Sequence, residues 1–385
     1  VAMVVLFAGR GLVARVALLG RLNIPAPVVG GGLVALVLAL ADGLLHVKVG
    51  FSLGLKDTLL LMFFTTVGLA ADARMLVKGG PRLLVFLAIS VVLIVVQNLI
   101  GITTARALDL HAIVGLLGGS ITLVGGHGTG AAYAERFAEV NNLQSVMDLS
   151  MTMATIGLII GGIIAGPVAQ YVISRHKLRS GVTEKNKAES EAAAPITTVG
   201  AIGSLAGIFA AVIVGRWLAA KFAGAPVTLP AFLWCMMVGV LIRNLIPFTK
   251  VRTDDRASDL ISGVCLSLFL VMTMMALDLV EVALAAGPLL LIIAVQTVVI
   301  ALFAIYVCFR FLGKDYEAAV TSAAFIGFSM GSTATAMANM QAITSKYGPA
   351  PTSYLIVPLA GAFFIDLMNA FLLTAILALP FMGGG

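Results

Sequence analysis

The sequence predicts an all-α polytopic membrane protein with two inverted repeats of five transmembrane helices. A re-entrant hairpin is predicted between the fourth and fifth helix of each repeat. The 385 residues are 60% hydrophobic and only 11% charged, whereas soluble chains average about 25% charged residues. The mean hydropathy is +1.09. The chain also contains 41 glycines, nine of them in two corresponding stretches. This composition excludes a soluble enzyme, a nucleic-acid-binding protein and a disordered regulator.

Ten apolar runs, separated by charged residues, Pro or Gly, approach the length of about 20 residues that a membrane helix needs. In the first half they lie at about 1–19, 27–45, 57–71, 82–105 and 146–172. In the second half they lie at about 199–220, 229–247, 259–280, 288–311 and 353–379. Val1 begins inside the first run, without a cleavable signal-peptide pattern, which indicates that further residues precede it.

A Gly-rich stretch lies between the fourth and fifth run of each half, at 112–134 and 318–341. Gly, Ser and Thr interrupt both stretches too often for an ordinary span, yet both are too apolar for a water-exposed loop. Non-helical backbone at membrane depth is tolerated only inside protein or beside a water-filled cavity. We therefore predict that each stretch forms a re-entrant hairpin.

The two halves share an order of motifs, which indicates an internal repeat. Asp109 and Asp315 are separated by 206 positions, as are Gly125 and Gly331. A Gly-Pro pair also opens the fourth run of each half. The predicted domains are a five-helix repeat at 1–172 with hairpin 112–134, a cytoplasmic linker at 173–198, and a five-helix repeat at 199–385 with hairpin 318–341.

The distribution of Lys and Arg predicts the orientation in the membrane. If both Gly-rich stretches re-enter, the halves are inverted and 17 of the 24 Lys and Arg lie on one face, six on the other, with Arg10 ambiguous. Cytoplasmic loops carry an excess of these residues. The linker is therefore predicted to be inside and both termini outside, with the first hairpin entering from outside and the second from inside.

Each hairpin tip is predicted to begin a helix whose first N–H groups are unpaired and partly positive. Thr129 and either Ser332 or Thr333 are placed to cap these helices. Four glycines leave the first tip uncovered, so an anionic group can approach its amides. These glycines are Gly125, Gly126, Gly128 and Gly130. Two such tips are typical of inverted-repeat secondary transporters, although the glycines alternatively serve only close helix packing.

Several polar residues inside apolar runs are functional candidates. His127 could donate a hydrogen bond to a carboxylate or respond to pH, or bond a neighbouring carbonyl. Asp366 lies halfway along the last run, where a carboxylate is costly and usually functional, and Asn369 shares its helix face. Their oxygens would suit sodium; Asp366 alternatively binds a substrate ammonium or forms a structural hydrogen bond. Gln97 and Asn98 either line a cavity or bond between helices.

Two short motifs match enzyme signatures without the required context. Gly327-Phe-Ser-Met-Gly331 fits the nucleophile elbow, which needs an α/β sheet with acid and His partners. Gly126-His-Gly-Thr-Gly130 lacks the Lys and the preceding strand of a phosphate-binding loop. The three cysteines lie far apart in apolar runs, without metal-ligand spacing. We predict neither enzyme activity nor a cofactor.

Four runs resemble the bacterial sodium/glutamate symporters. They are Gly119-Ser-Ile-Thr, Gly125-Gly-His-Gly-Thr-Gly-Ala-Ala132, Thr335-Ala-Met-Ala-Asn-Met-Gln-Ala-Ile-Thr344 and Gly361-Ala-Phe-Phe-Ile-Asp366. The similarity covers nearly the whole chain. It implies sodium-driven inward transport of L-glutamate, a homodimer in the bacterial inner membrane and an elevator-like movement. One position departs from the family pattern, since Ala334 stands where the second hairpin usually has Pro.

The resemblance and the tip chemistry together predict a set of substrate-binding residues in and beside the two tips. They are Ser120, Thr122, Gly125, Gly126, His127, Gly128, Thr129, Ser332, Thr333, Thr335 and Asn339. Asp366 and Asn369 are the predicted sodium ligands. Two alternatives stay open, namely a sodium- or proton-coupled carrier of another organic anion, such as a citrate-like carboxylate, and a pore-loop ion channel.

Overall fold

The computed structural model describes residues 1–21, 24–45, 51, 54–72, 74–141, 146–181, 196–222, 229–245 and 254–379. Every regular element within these ranges is helical. Within these ranges, each of the ten predicted apolar runs coincides with a helix or with consecutive helices, so the all-α prediction is confirmed.

The first half begins with four apolar helices and one long helix that changes direction. The four are α1 (Ala2–Arg15), α2 (Ala17–Arg21), α3 (Ala26–Leu45) and α4 (Lys56–Leu69). In α5 (Arg74–Ala107) the chain bends at Gly80, whose φ of +63° suits glycine alone. Pro81 then opens the apolar part of α5, where its missing N–H costs nothing.

The first Gly-rich stretch forms two helices separated by a break. α6 (Ala112–Leu116) continues into a π-helical turn at Leu117–Ile121, inside which Gly119 has non-helical dihedral angles. After a turn at 124–125, α7 (Gly126–Asn141) begins. α8 (Val146–His176) completes the half. The structure thus contains the predicted helix–break–helix, while its re-entry into the membrane stays a prediction.

The second half repeats this order of elements. Its first helices are α9 (Thr198–Lys221), α10 (Ala231–Leu245), α11 (Asp255–Met275), α12 (Leu279–Phe303) and α13 (Phe309–Phe311), the last two joined by a π-helical turn at Ala304–Cys308. The second Gly-rich stretch forms α14 (Tyr316–Ser329) and α15 (Thr333–Tyr347). α16 (Pro351–Leu359), a π-helical turn at Ala360–Phe364 and α17 (Ile365–Leu377) follow.

The helices pack as two groups, which we call the outer group and the inner group. The outer group comprises α1 to α4 and α9 to α11, and the inner group comprises α5 to α8 and α12 to α17. Within the outer group, α4 of the first half packs against α10 of the second, and correspondingly α11 of the second half packs against α3 of the first. The contact of α1 with α3 likewise corresponds to the contact of α9 with α10. Contacts between the groups, such as α3 with α12, are sparser. This reciprocal pattern is typical of an internal repeat; the inversion of the halves stays a prediction.

Six helices in the described ranges are long and apolar enough to cross a membrane. They are Ala26–Leu44, Gly80–Ala107, Val146–His176, Thr198–Lys221, Asp255–Met275 and Ala286–Phe311. Large apolar side chains on these helices face outward, and Leu99, Ile213 and Val298 are more than half exposed. Such surfaces are favourable in lipid and unfavourable in water. The chain is therefore a multi-pass integral membrane protein.

Two predicted boundaries differ from the structure. Helix α12 begins at Leu279, eight residues before Gly287, and it passes through Gly287 and Pro288 without a break. The predicted linker begins at 173, but α8 continues to His176. Of the rest of the linker, residues 182–195 lie outside the described part of the chain.

Candidate functional site

The breaks in the two Gly-rich stretches lie against each other. Gly126 has a φ of +61°, and a Cβ built on it would lie 3.1 Å from the carbonyl oxygen of Gly331. Helix α7 begins at Gly126, and α15 begins two residues after Gly331. Two helix N-termini, separated by more than 200 residues in sequence, therefore open close to one point.

Helix α8 crosses directly behind this meeting point. A Cβ at Gly157 would lie 2.9 Å from the carbonyl oxygen of Met330, and a Cβ at Gly161 would lie 2.8 Å from the Met330 Cβ. The predicted close contact of the Gly157–Gly161 pair is thus present. The pair Gly162–Gly166 behaves differently, since nothing lies within 4 Å of a Cβ at Gly166.

The first tip is closed by hydrogen bonds of its own residues. The N–H groups of Val124 and Gly125 both donate to the carbonyl oxygen of Ser120, at 3.2 and 3.1 Å. Thr129 is the fourth residue of α7, so the prediction that it caps this helix is wrong; its N–H donates to the Gly125 oxygen. Thr122 is fully buried, and its hydroxyl donates to the carbonyl oxygen of Leu117 at 2.6 Å.

Small residues and aromatic rings shape the rest of the first tip. A Cβ at Gly128 would lie 2.8 Å from the ring of Phe63 on α4. A Cβ at Gly125 would lie 2.4 Å from the Thr129 side chain. At Gly130 it would lie 2.6 Å from the Ser150 hydroxyl of α8. Each of these glycines therefore permits a close approach, as the packing interpretation requires, while Gly126 faces the second tip.

His127 of the first tip is 7% exposed and is held by α8. Its Nε2 lies 3.0 Å from the hydroxyl of Thr155. That hydroxyl also donates to the carbonyl oxygen of Met151 at 2.8 Å. The interpretation that His127 bonds a neighbouring carbonyl is therefore wrong, since its partner is the hydroxyl of Thr155.

The second tip is fixed by a side-chain cap. Ser332 is the N-cap of α15, and its hydroxyl accepts a hydrogen bond from the N–H of Thr335 at 3.2 Å. Of the two predicted capping residues, Ser332 is therefore the correct one. The hydroxyl of Thr333 donates to the carbonyl oxygen of Gly361 at 3.3 Å. This bond joins the second tip to the π-helical turn that precedes Asp366.

Asn339 lies two helical turns beyond the second tip. Its side-chain amide donates to the carbonyl oxygen of Gly161 on α8 at 3.3 Å. Thr335 is fully buried below the tip, and its hydroxyl contacts that of Ser332 at 3.2 Å. Asn339 thus packs α15 against α8, whereas Thr335 supports the cap.

Asp366 and Asn369 lie on one face of α17 with different surroundings. Asp366 is partly exposed, and within the described residues it forms no hydrogen bond or ion pair. Asn369 is fully buried; its amide donates to the Ser120 carbonyl oxygen at 3.0 Å and its Oδ1 accepts from the Ser120 hydroxyl at 2.6 Å. The predicted substrate residue Ser120 and the predicted sodium residue Asn369 therefore bind each other.

A polar pair on α5 holds both Gly-rich stretches. The Oδ1 of Asn98 accepts from the N–H of Ser120 at 3.0 Å, and the Nε2 of Gln97 donates to the carbonyl oxygen of Ser329 at 3.1 Å. Gln296 of α12 donates to the Gln97 backbone oxygen at 2.7 Å. Of the two interpretations offered by the sequence, bonding between helices is correct for Gln97 and Asn98.

Sequence reasoning missed Gln296 and Thr155, whose only signal was a polar residue within an apolar run. Among the described residues, no group of three or more His, Cys, Asp or Glu is placed to hold a metal ion. Among the predicted site residues, Asp366 alone has a carboxylate.

Comparison with known sequences supports a single family. A family model described as sodium/glutamate symporter matches residues 1–349. The chain belongs to the sodium/glutamate symporter family. The sodium/glutamate symporter of Escherichia coli (strain K12) is 42% identical over 389 aligned residues, covering 100% of this chain and 97% of that protein. The sodium/glutamate symporter of Haemophilus influenzae is 42% identical over 380 residues, covering 97% of this chain and 94% of that protein.

Family membership confirms the resemblance seen in the sequence. The sodium/glutamate symporter family is a family of transporters and not a class of enzymes. The family match covers both Gly-rich stretches and ends before α16. The alignments with the two relatives cover nearly all of this chain.

Proposed function

We propose that the protein takes up L-glutamate together with sodium across the bacterial inner membrane by alternating access. The observation that carries this proposal is the position of Gly126 facing the Gly331 carbonyl, where two helix N-termini open side by side. Helix N-termini bind anionic groups through their free N–H groups. Both relatives are named sodium/glutamate symporters, which indicates glutamate and sodium as the transported species.

The substrate carboxylates bind at the first turns of α7 and α15. Gly126 lacks a side chain that would cover the amides of α7, and Thr333 and Ser332 add hydroxyl groups at α15. A dicarboxylate has two negative ends, and the two tips offer two N-termini. Helix ends, hydroxyls and sodium together replace the Arg clamp that usually binds such ligands.

Sodium binds at Asp366, next to the second tip. The bond from Thr333 to Gly361 connects the tip to the turn that leads into Asp366. A carboxylate inside a membrane helix is costly until a cation compensates its charge. Sodium therefore enters first and lowers the cost of bringing an anionic substrate to the tips. In the alternative arrangement, Asp366 binds the substrate ammonium.

The charge distribution supports re-entry of the two stretches from opposite faces, with the linker 173–198 in the cytoplasm and both termini outside. It also supports inversion of the repeats 1–172 and 199–385. Hairpins that enter from opposite faces meet near the middle of the membrane, and the contact of the two tips agrees with this. The sorting of 17 of the 24 Lys and Arg to one face agrees as well.

The inner group moves relative to the outer group in an elevator-like manner. The contacts across the boundary include the ion pair of Lys56 with Glu135, at 2.8 Å, and the approach of Phe63 to Gly128. The two side chains of the ion pair keep 18% and 25% of their surface exposed, and Gly128 has no side chain, so separation at these two places costs less than in a dry apolar core. The proposed functional unit is a homodimer in the lipid bilayer that uses no cofactor.

The test is uptake of labelled L-glutamate into proteoliposomes. Uptake should require an inward sodium gradient, saturate and concentrate the substrate, and potassium should not replace sodium. Uptake at full rate without sodium would contradict the coupling. A competition panel with citrate-like acids distinguishes a carrier of other anions, and flux that never exceeds equilibrium would indicate a channel.

A further inference from the structure

Thr155 is the hydrogen-bond partner of His127, and its position in α8 sets the direction of that bond. The His127 Nε2 lies 3.0 Å from the Thr155 hydroxyl oxygen. The same hydroxyl donates to the Met151 carbonyl oxygen, one turn earlier in α8, at 2.8 Å. A hydroxyl has a single proton to donate. With that proton directed at Met151, the Thr155 oxygen accepts, and the Nε2 of His127 donates.

The direction of this bond determines what the other ring nitrogen can do. In a neutral imidazole one nitrogen carries the proton and the other carries a lone pair. Because Nε2 carries the proton, Nδ1 of the neutral ring is an acceptor. Nδ1 forms no hydrogen bond with any described residue. An acceptor of this kind binds an N–H group and not a carboxylate.

The surroundings of His127 complement an amino acid. His127 is the second residue of α7 and so belongs to the turn whose free N–H groups attract an anion. An acceptor and a set of donors thus belong to the same turn. An α-amino acid presents the matching pair, an ammonium donor next to a carboxylate acceptor. A dicarboxylate without the amine satisfies only the N–H groups.

We propose that Thr155 is a positioning residue that holds His127 as the Nε2–H tautomer, so that Nδ1 accepts a hydrogen bond from the substrate ammonium. This deepens the proposed function, on which it rests, by assigning the selection of amino acids over plain dicarboxylates to these two residues. It replaces the sequence-based expectation that His127 donates to a substrate carboxylate.

The test compares L-glutamate with glutarate, which has both carboxylates but no amine. Each is used as a competitor of labelled glutamate uptake in proteoliposomes. The variants are Thr155→Val, which keeps the shape and removes the acceptor, and Thr155→Ser, which keeps the hydroxyl. Thr152→Val is the matched control, since Thr152 lies on the same helix and forms no side-chain hydrogen bond with a described residue.

Thr155→Val should lower the preference for glutamate over glutarate by roughly tenfold to a hundredfold, the range for a lost hydrogen bond to a charged group. Thr155→Ser and Thr152→Val should retain it. Inhibition by glutarate should stay unchanged in Thr155→Val, which shows that the site is folded. His127→Ala should abolish the same preference and add no further loss in the Thr155→Val background.

Three results would overturn the inference. The first is an unchanged preference in Thr155→Val, and the second is an equal weakening of both competitors in that variant. The third is a preference that is lost in Asp366→Asn but kept in Thr155→Val and His127→Ala. Failure of the proposed function is distinguishable, because it would appear as sodium-independent uptake, or none, in the unsubstituted protein.

Discussion

Ser120 and Asn369 hold each other through two hydrogen bonds between residues 249 positions apart. The Ser120 hydroxyl donates to the Asn369 Oδ1 at 2.6 Å, and the Asn369 amide donates to the Ser120 carbonyl oxygen at 3.0 Å. Both residues are fully buried. The pair joins the π-helical turn before the first tip to α17, which carries Asp366 three residues earlier. The proposed sodium residue is therefore linked mechanically to the proposed substrate tip.

Asn369→Ala should destabilise the protein, because it leaves the buried Ser120 hydroxyl without its acceptor. The expected loss is about 1–3 kcal/mol, the usual cost of an unsatisfied buried polar group. It is measured as a lower unfolding midpoint in detergent. Asn369→Ala and Ser120→Ala should be less than additive, since they break the same bonds. Thr103→Ala is the control, because that hydroxyl bonds only to carbonyls of its own helix. Fully additive losses would contradict the pairing.

Asp366→Asn should abolish the dependence of glutamate uptake on sodium concentration, and uptake should fall strongly. The amide keeps the size of the side chain but lacks the charge that sodium compensates. Sodium titration of uptake in proteoliposomes measures the effect. Asp42→Asn, near the C-terminal end of α3, is the matched control and should behave as the unsubstituted protein. A normal sodium titration in Asp366→Asn would refute the assignment.

Ala334→Pro should be tolerated, whereas Thr335→Pro should destroy the second tip. Ala334 lies in the first turn of α15, where a missing N–H costs little. The N–H of Thr335 donates to the capping hydroxyl of Ser332, and Pro removes this bond. The two variants differ by one position, so uptake and thermal stability compare them directly. Equal behaviour of both would show that the cap is dispensable.

Gly157→Ala should impair folding or uptake, whereas Gly166→Ala on the same helix should not. A Cβ at Gly157 would lie 2.5 Å from the Leu123 side chain and 2.9 Å from the Met330 carbonyl oxygen. Overpacking of this kind typically costs about 1–3 kcal/mol. At Gly166 nothing lies within 4 Å, and Ala there favours the helix. Detergent unfolding midpoints and uptake rates test the contrast, which would fail if both variants were equally damaged.

Most of the fold was predictable because it depends on local properties. The ten runs coincide with helices since composition and length decide which segments enter lipid as helices. The two Gly-rich stretches were recognisable because Gly, Ser and Thr interrupt an apolar sequence. The two wrong predictions of helix starts also rested on local residue types. Thr129 has the residue type of a cap, but α7 begins three residues earlier, at the glycine with positive φ. Pro288 has the residue type of a helix start but lies inside α12.

The site itself was predictable only as a set of residue types. The Ser120–Asn369 pair, the hold of Gln97 on Ser329 and the contact of Thr155 with His127 all join different helices. Helix periodicity predicts the face on which a side chain lies, and it does not predict which distant helix that face contacts. Gln97 and Asn98 illustrate this: adjacent in sequence, they hold different Gly-rich stretches.

By itself the sequence determined that this chain is a helical membrane protein, where its helices lie, and which family it resembles. Those properties follow from hydrophobicity, helix periodicity and short motifs, which act over a few residues. The tertiary structure decided that Gly126 meets Gly331 and that Asn369 is occupied by Ser120 while Asp366 has no described partner. These relationships depend on how rigid helices pack across more than 200 residues of chain, and close packing selects one arrangement among many.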